Sequence, residues 1–229
     1  MTQADFLLDT QRDERIRLSE AIFCAGKSPA QIAAIIAHAE ARGLSLLLTR
    51  LDEGRLAALP PHQREALDYD PLSRTAIWGP PHPPGLETQV AIVTAGTSDI
   101  PVAREAARTL RFEGFGSEEI NDVGVAGLWR LLRRVEALQR FPVVIVAAGM
   151  DAALPSVVGG LVGGLVIAVP TSVGYGVAAG GQTALNAILA SCAPGIVTVN
   201  IDNGYGAACA AMRALGGRAA REGDQHGTS

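Results

Sequence analysis

The sequence predicts an α/β protein: a parallel sheet with helices on both faces, preceded by a smaller, mainly helical N-terminal region. Three observations carry this. From Gln89 onward short apolar runs alternate with helical periodicities, the pattern of strand–helix–strand units. Between Asp151 and Asp202 fifty consecutive residues contain no Asp, Glu, Lys, Arg or His, as expected of chain shut away from water, where an unpaired charge is very costly. The segment Pro80-Pro81-His82-Pro83-Pro84-Gly85 then reads as a stiff polyproline break. The expected organisation is a helical region over 1–79, a linker over 80–88, an α/β domain over 89–216 and a disordered tail over 217–229.

Each element has its own reason. Ile32, Ile35, Ile36 and Ala39 recur at i, i+3, i+4 and i+7, one face of a helix, and Ser28-Pro29 supplies its N-cap and first-turn proline. Val90–Thr94 is a β-branched run, followed by a helical stretch to about Glu113 and a weak strand at 117–121. Val125, Leu128, Leu132, Val135 and Leu138 mark one amphipathic helix with Arg130, Arg133, Arg134 and Glu136 outside. The continuous apolar run 142–147 reads as a buried parallel strand. Pro155 opens a helix, 165–169 forms a strand, and a helix near 182–191, a strand at 196–201 and a helix near 205–215 follow.

Composition excludes several classes. A net charge of −4 leaves no basic footprint for nucleic acid. Three cysteines, Cys24, Cys192 and Cys209, are too few and too scattered for a disulfide framework or a zinc site. The apolar run 154–169 is shorter than the ~20 residues of a spanning helix, carries paired glycines and stops at Pro170. With a polar and charged stretch from Met1 to Arg17 in place of a leader, a cytoplasmic protein without a membrane span is expected.

Four loops follow the predicted strands and fall at one sheet edge, where open α/β sheets bind ligands. Gly96-Thr97-Ser98-Asp99 offers close backbone approach, hydroxyls and helix N-terminal amides to a phosphate; the same residues also make an ordinary capped turn. Asp151, in Gly149-Met150-Asp151, is a carboxylate at the same edge or simply a cap for the next helix. Thr171, Ser172, Gly174 and Tyr175 belong to a glycine-dense loop that admits a ligand or another chain. Asp202 and Asn203 end the last strand, as pocket wall or as Asx turn. Cys192 lies inside the uncharged run, and no histidine is near it: the four are His38, His62, His82 and His226. Buried cysteines are usually inert, and a hydrolase triad is not expected.

Taken in order, these loops resemble a known family. Val93-Thr94-Ala95-Gly96-Thr97-Ser98-Asp99 with Ala103 and Ala106 is similar to the phosphate loop of the aminoimidazole-ribonucleotide carboxylases. The stretches from Ala147 to Val158 and from Val169 to Gly176, Ser191-Cys192, and the run from Val199 to Ala207 are closer to the related LarB family, as are Glu20, Phe23, Gly26-Lys27 and Thr49-Arg50. The resemblance implies a flavodoxin-like three-layer parallel sheet and a homo-octamer. It also implies carboxylation of the pyridinium C5 of nicotinic acid adenine dinucleotide with CO2 or bicarbonate as co-substrate. Hydrolysis of the phosphoanhydride would then release pyridinium-3,5-biscarboxylic acid mononucleotide and AMP, the start of nickel-pincer cofactor synthesis.

That chemistry gives Cys192 a role. An electron-poor pyridinium carbon does not attack CO2, whereas thiolate addition creates a dihydropyridine whose enamine carbon does. The resemblance further implies substrate contacts from Gly96, Thr97, Ser98, Asp99, Thr171, Ser172, Gly174, Tyr175, Asp202 and Asn203. Asp151 is the implied base or metal-linked carboxylate, and Mg2+ the expected ion. Two positions depart from the family pattern, Asp151 in place of Glu and Trp129 in place of His. The alternatives are an aminoimidazole-ribonucleotide carboxylase or mutase, whose loop histidine this chain lacks, and a diverged nucleotide-binding protein without turnover.

Overall fold

The computed structural model describes residues 6–9, 11–85 and 87–216; the expected tail at 217–229, with His226, lies outside them. The N-terminal region holds α1 (Arg12–Ile16), β1 (Ala21–Phe23), α2 (Pro29–Glu40), β2 (Leu46–Thr49), α3 (Glu53–Ala57), α4 (Pro61–Ala66), β3 (Asp68–Asp70) and β4 (Thr75–Trp78). Helix α2 forms as its spacing predicts. Ser28 and Gln31 close a capping box at its start, and Ile32, Ile35, Ile36 and Ala39 are the buried residues.

The described N-terminal elements carry more helix than strand, as expected, and add a small sheet that the sequence did not announce. Its strands pair in the order β1-β2-β4-β3, parallel between β1 and β2 and antiparallel elsewhere. These strands are three or four residues long, too short to impose a period of two, so the longer helical periodicity of α2 dominates the sequence. The sheet, not a helix bundle, organises the core of Ile22, Ile36, Leu48 and Trp78.

The second unit follows the expected alternation. It comprises β5 (Thr88–Thr94), α5 (Ile100–Phe112), β6 (Gly116–Ile120), α6 (Leu128–Leu132), α7 (Val135–Leu138), β7 (Val143–Ala148), α8 (Ala153–Gly159), β8 (Leu165–Pro170), α9 (Gln182–Leu189), β9 (Val197–Thr198) and α10 (Gly204–Ala214). The five strands are all parallel, in the order β6-β5-β7-β8-β9. This is the doubly wound order that reverses direction between its first and third strands, here β5 and β7. Strand β7 is buried along its whole length. One apolar cluster, with α5 and α10, covers one face of the sheet, and a second, with α6, α8 and α9, covers the other.

Three local expectations change. The single helix expected over 125–138 is broken into a 3-10 turn (Val125–Gly127), α6 and α7. Leu131 and Leu138 are buried while Leu128 and Leu132 face solvent, so the buried face of α6 is not the one the spacing marks. The strand expected over 196–201 is only β9, since the rest bends away as the strand-end loop. Helix α8 starts at Ala153, ahead of Pro155, after Ala152 takes a left-handed φ of 45°.

The proline-rich segment is tied down along its length. The His82 amide donates to the Phe112 carbonyl at 2.9 Å, and the Gly85 amide to Gly114 at 2.8 Å. Helix α5 is thereby held between both sheets, with Phe112 packed on Leu47 and Ile77 of the N-terminal sheet. That sandwich explains why α5 buries charged side chains. Arg108 donates to Thr75 Oγ1 at 2.7 Å and pairs with Asp68 at 3.1 Å, stapling the two units. No helix among the described residues is long and apolar enough to cross a membrane.

Candidate functional site

Parallel strands end at one edge, and there the four loops named from the sequence meet. The centre is Asp99, buried at the base of α5. Its Oδ2 accepts the Gly96 amide at 2.8 Å, and its Oδ1 accepts the Thr171 hydroxyl at 2.6 Å. The Gly149 amide also bonds to it. One carboxylate therefore joins the loops after β5, β7 and β8. Burial pushes its carboxyl above the ordinary range, and the charge of Asp202 adds to this, while the three donors pull the other way.

The packing leaves no slack. A Cβ on Gly149 would lie 2.3 Å from the Val173 carbonyl and 2.7 Å from Thr171 Oγ1, and the Met150 amide donates to that same carbonyl at 2.8 Å. The loop after β9 joins through Asp202, whose Oδ1 accepts the Ser172 amide at 2.8 Å. Asn203 caps α10 by accepting the Gly206 amide at 2.8 Å. Asn203 thus makes a local capping contact, whereas Asp202 bonds across to the loop after β8.

The remaining residues stand around this knot. Thr97 and Ser98 lie in a 3-10 turn, Thr97–Asp99, that feeds α5. Gly174 has a φ of 158°, and Tyr175 is exposed. Asp151 is exposed and, among the described residues, accepts no hydrogen bond. Cys192 is exposed too, beyond the end of α9, which runs back from the loops. Ser191 meets Ser156 at 2.6 Å, and Gly159 packs against Ala193 and Ile196, so Cys192 sits beside the middle of α8. The fold gathers the loop residues into one site and leaves Cys192 out of contact with them within one chain.

The sequence reading left two contributors without a role. Arg50, at a positive φ of 55° just after β2, reaches across from the N-terminal sheet. It donates to the Asp202 carbonyl and lies 3.6 Å from Glu105. Glu105 is buried on α5 and accepts the Gly204 amide at 3.1 Å; burial raises its carboxyl despite the nearby Arg50 charge. A glutamate among Ala103, Ala106 and Ala107 was the available signal. Its arginine partner, fifty-five positions earlier, is marked in the sequence only by the family resemblance of Thr49-Arg50, which gives it no role.

A metal cage is not formed by the protein alone: among the described residues no three His, Cys, Asp or Glu side chains converge. Both Asp99 oxygens already accept protein donors. Asp151, exposed at this edge, and Asp202, with Oδ1 alone engaged, are carboxylates that could share an ion with a phosphate, as Mg2+ is usually held by one or two carboxylates and phosphate oxygens.

Residues 4–80 match the model of the LarB/PurE-like N-terminal domain, and residues 89–222 that of AIR carboxylase. An uncharacterized protein of Methanocaldococcus jannaschii is 50% identical over 121 residues, 52% of this chain and 46% of that protein. The chain thus spans about half the length of that curated relative. Among solved structures, Treponema denticola PurE is 25% identical with a TM-score of 0.45, over 57% of this chain and 81% of the other. A variant of PurE2 from the same organism is 26% identical with a TM-score of 0.44, over 56% and 79%.

Proposed function

The chain belongs to the AIR carboxylase family, with a LarB/PurE-like domain ahead of the family domain, and we propose that it carboxylates the pyridinium C5 of nicotinic acid adenine dinucleotide. The same protein would hydrolyse the phosphoanhydride, releasing AMP and pyridinium-3,5-biscarboxylic acid mononucleotide for nickel-pincer cofactor synthesis. The observation that carries this reading is the joining of LarB-like loop sequences at one edge of a parallel sheet, in a chain whose Cys192 is exposed past the end of α9.

The steps balance without a redox partner. The Cys192 thiolate adds to the ring, leaving a neutral dihydropyridine. Its enamine carbon, C5, forms the bond to CO2; a base then takes the C5 proton, and expulsion of the thiolate restores the aromatic ring. Asp151 is our candidate base, being exposed and, among the described residues, without a hydrogen-bond partner. Gly96, Thr97 and Ser98, at the start of α5, would receive the phosphate on their amides and hydroxyls. Asp99 holds the loops and is spoken for by its own donors. Thr171, Ser172, Gly174 and Tyr175 would close over the nucleotide, with Asp202 and Asn203 as the far wall. If bound, Mg2+ would offset charge developing on the phosphoanhydride.

A homo-octamer completes the proposal. Met150, Tyr175, Val177 and Leu189 are exposed apolar side chains around the loops and α9, with Tyr175 at 77% and Val177 at 92% exposure. Burying such residues between subunits is favourable and would bring the Cys192 segment under a neighbouring copy.

The test is mass spectrometry of the protein with nicotinic acid adenine dinucleotide, bicarbonate and Mg2+, with aminoimidazole ribonucleotide in parallel. The dicarboxylated mononucleotide with AMP is the expected outcome. Product from aminoimidazole ribonucleotide alone would move the protein to that carboxylase reaction, and no product from either to a binding role.

A further inference from the structure

The two units meet where the backbone is strained. Among the described residues seven non-glycine residues take a left-handed φ. Three of them, Arg50, Arg74 and Asp202, lie at the junction between the N-terminal sheet and the loop after β9. Such conformations cost energy and persist only where their surroundings over-determine them.

On the N-terminal side the sheet pins both neighbours of Arg50. The Thr49 carbonyl accepts the Cys24 amide at 2.9 Å, and the Leu51 amide donates to the Arg74 carbonyl at 2.8 Å. Arg50 therefore leaves the sheet edge in a fixed direction. Its guanidinium donates to the Asp202 carbonyl and stands 3.6 Å from Glu105 Oε1. The Glu105 side chain is 6% exposed and that of Arg50 28%, so the pair is largely out of water. Arg74 adds positive charge near the same carboxylate.

On the other side every amide from Asp202 to Gly206 has an acceptor. Asp202 donates to the Pro170 carbonyl at 2.9 Å and Asn203 to Asn200 at 3.2 Å. Gly204 donates to Glu105 Oε2 at 3.1 Å, the Tyr205 amide also bonds to Glu105, and Gly206 donates to Asn203 at 2.8 Å. A Cβ on Gly204 would lie 2.2 Å from the Val102 carbonyl, so α10 starts flat against α5. Asp202, held by its carbonyl and its amide, in turn holds the Ser172 amide at 2.8 Å.

We infer that Arg50 and Glu105 are positioning residues through which the N-terminal unit sets the shape of the site. Glu105 fixes the start of α10 and keeps Arg50 in place, because a buried carboxylate without its cation is costly. The planar fork of Arg50 serves that carboxylate and the Asp202 carbonyl together, a geometry the single ammonium of lysine does not reproduce. Without the fork, Asp202 relaxes from its left-handed turn and the Ser172 amide loses its acceptor. The inference rests on the carboxylation reading only for its turnover readout.

The experiment is hydrogen–deuterium exchange of the full chain by mass spectrometry, with urea midpoints alongside, for wild type, Arg50→Ala, Arg50→Lys and Glu105→Gln. Exchange over 171–176 and 199–206 is expected to rise about tenfold or more in all three variants, while β7, the core reference, stays protected. The lysine variant separates positioning from stability: it should regain part of the urea midpoint lost in Arg50→Ala, yet its loop should exchange as fast. With nicotinic acid adenine dinucleotide, Arg50→Lys should lose about tenfold in kcat, as a displaced site does, with KM near wild type. Wild-type exchange in Arg50→Ala overturns the inference. So does exchange that rises equally in β7, or that recovers in Arg50→Lys in step with the midpoint, since the pair then serves stability alone. Fast loop exchange with unchanged turnover overturns it as well. If the wild type forms no product, the carboxylation reading fails and exchange alone decides this one.

Discussion

The two sheets of this protein end their strands in different ways, and that difference decides which of them makes a site. All five C-terminal strands run parallel, so every carboxyl end reaches one edge and every following loop can touch its neighbours there. In the N-terminal sheet β4 runs against both its partners, and strand ends scatter to opposite edges. That sheet builds a core but no shared rim. Its contribution to the site is one side chain, Arg50, sent across α5 to Asp202 and Glu105. Direction of strands, rather than choice of residues, separates scaffold from rim.

The comparison breaks hardest at the cysteine. Cys192→Ala should lower carboxylation by about a thousandfold or more, as loss of a covalent nucleophile does, with circular dichroism unchanged. Cys209→Ala, in α10, is the control and should leave turnover near wild type. Persisting carboxylation in Cys192→Ala would remove the covalent route.

The next largest effect tests the parallel edge. Gly149→Ala forces a methyl into the Val173 carbonyl, at a cost of about 1–3 kcal/mol for overpacking. It also parts two loops, where a shift of about 1 Å can lose a hundredfold in rate. Denaturant melts and turnover should fall together; a variant of normal activity would show that the loops do not form one site.

Arg50→Ala probes the bridge between the sheets. It leaves the buried Glu105 without its cation, so a loss of about 2 kcal/mol is expected from urea unfolding. Arg50→Lys should recover part of it, since a lysine keeps the charge without the fork. Full stability in Arg50→Ala would mean that the other contacts across α5, Phe112 and Arg108 among them, hold the sheets without it.

The smallest effect is in pH. Asp99, Glu105 and Glu113 all have carboxyls raised by burial, so the folded state holds their protons more tightly than the unfolded chain. Their contribution to stability is full below about pH 4, the unfolded range, and is lost as pH rises through the raised folded values. Urea midpoints compared between pH 4 and 7 should show a shallower decline in Glu105→Gln than in wild type. An identical slope would exclude Glu105 as a source.

Legibility followed the length of each signal. Six residues of buried strand in β7 and four spaced apolar residues in α2 are long enough to declare their period, and both elements stand where the sequence puts them. Three-residue strands such as β1 and β3 declare none, so the small N-terminal sheet is silent in the sequence. The helix over 125–138 failed for another reason. Its apolar spacing is regular, but the chain breaks at Arg133-Arg134, and within α6 it is Leu131, not Leu128 or Leu132, that turns inward.

The same division runs through the site. The chain by itself determined the parallel sheet, the uncharged interior between Asp151 and Asp202 and the glycine–hydroxyl loops, because these depend on local pattern and on the cost of burying charge. Only the tertiary structure decided that Asp99 ties three loops together, that Arg50 spans the two sheets to reach Asp202 and Glu105, and that Cys192 lies apart beside α8. Those are contacts between residues distant along the chain. No spacing encodes them; they exist only once strand order has brought the loops to a common edge.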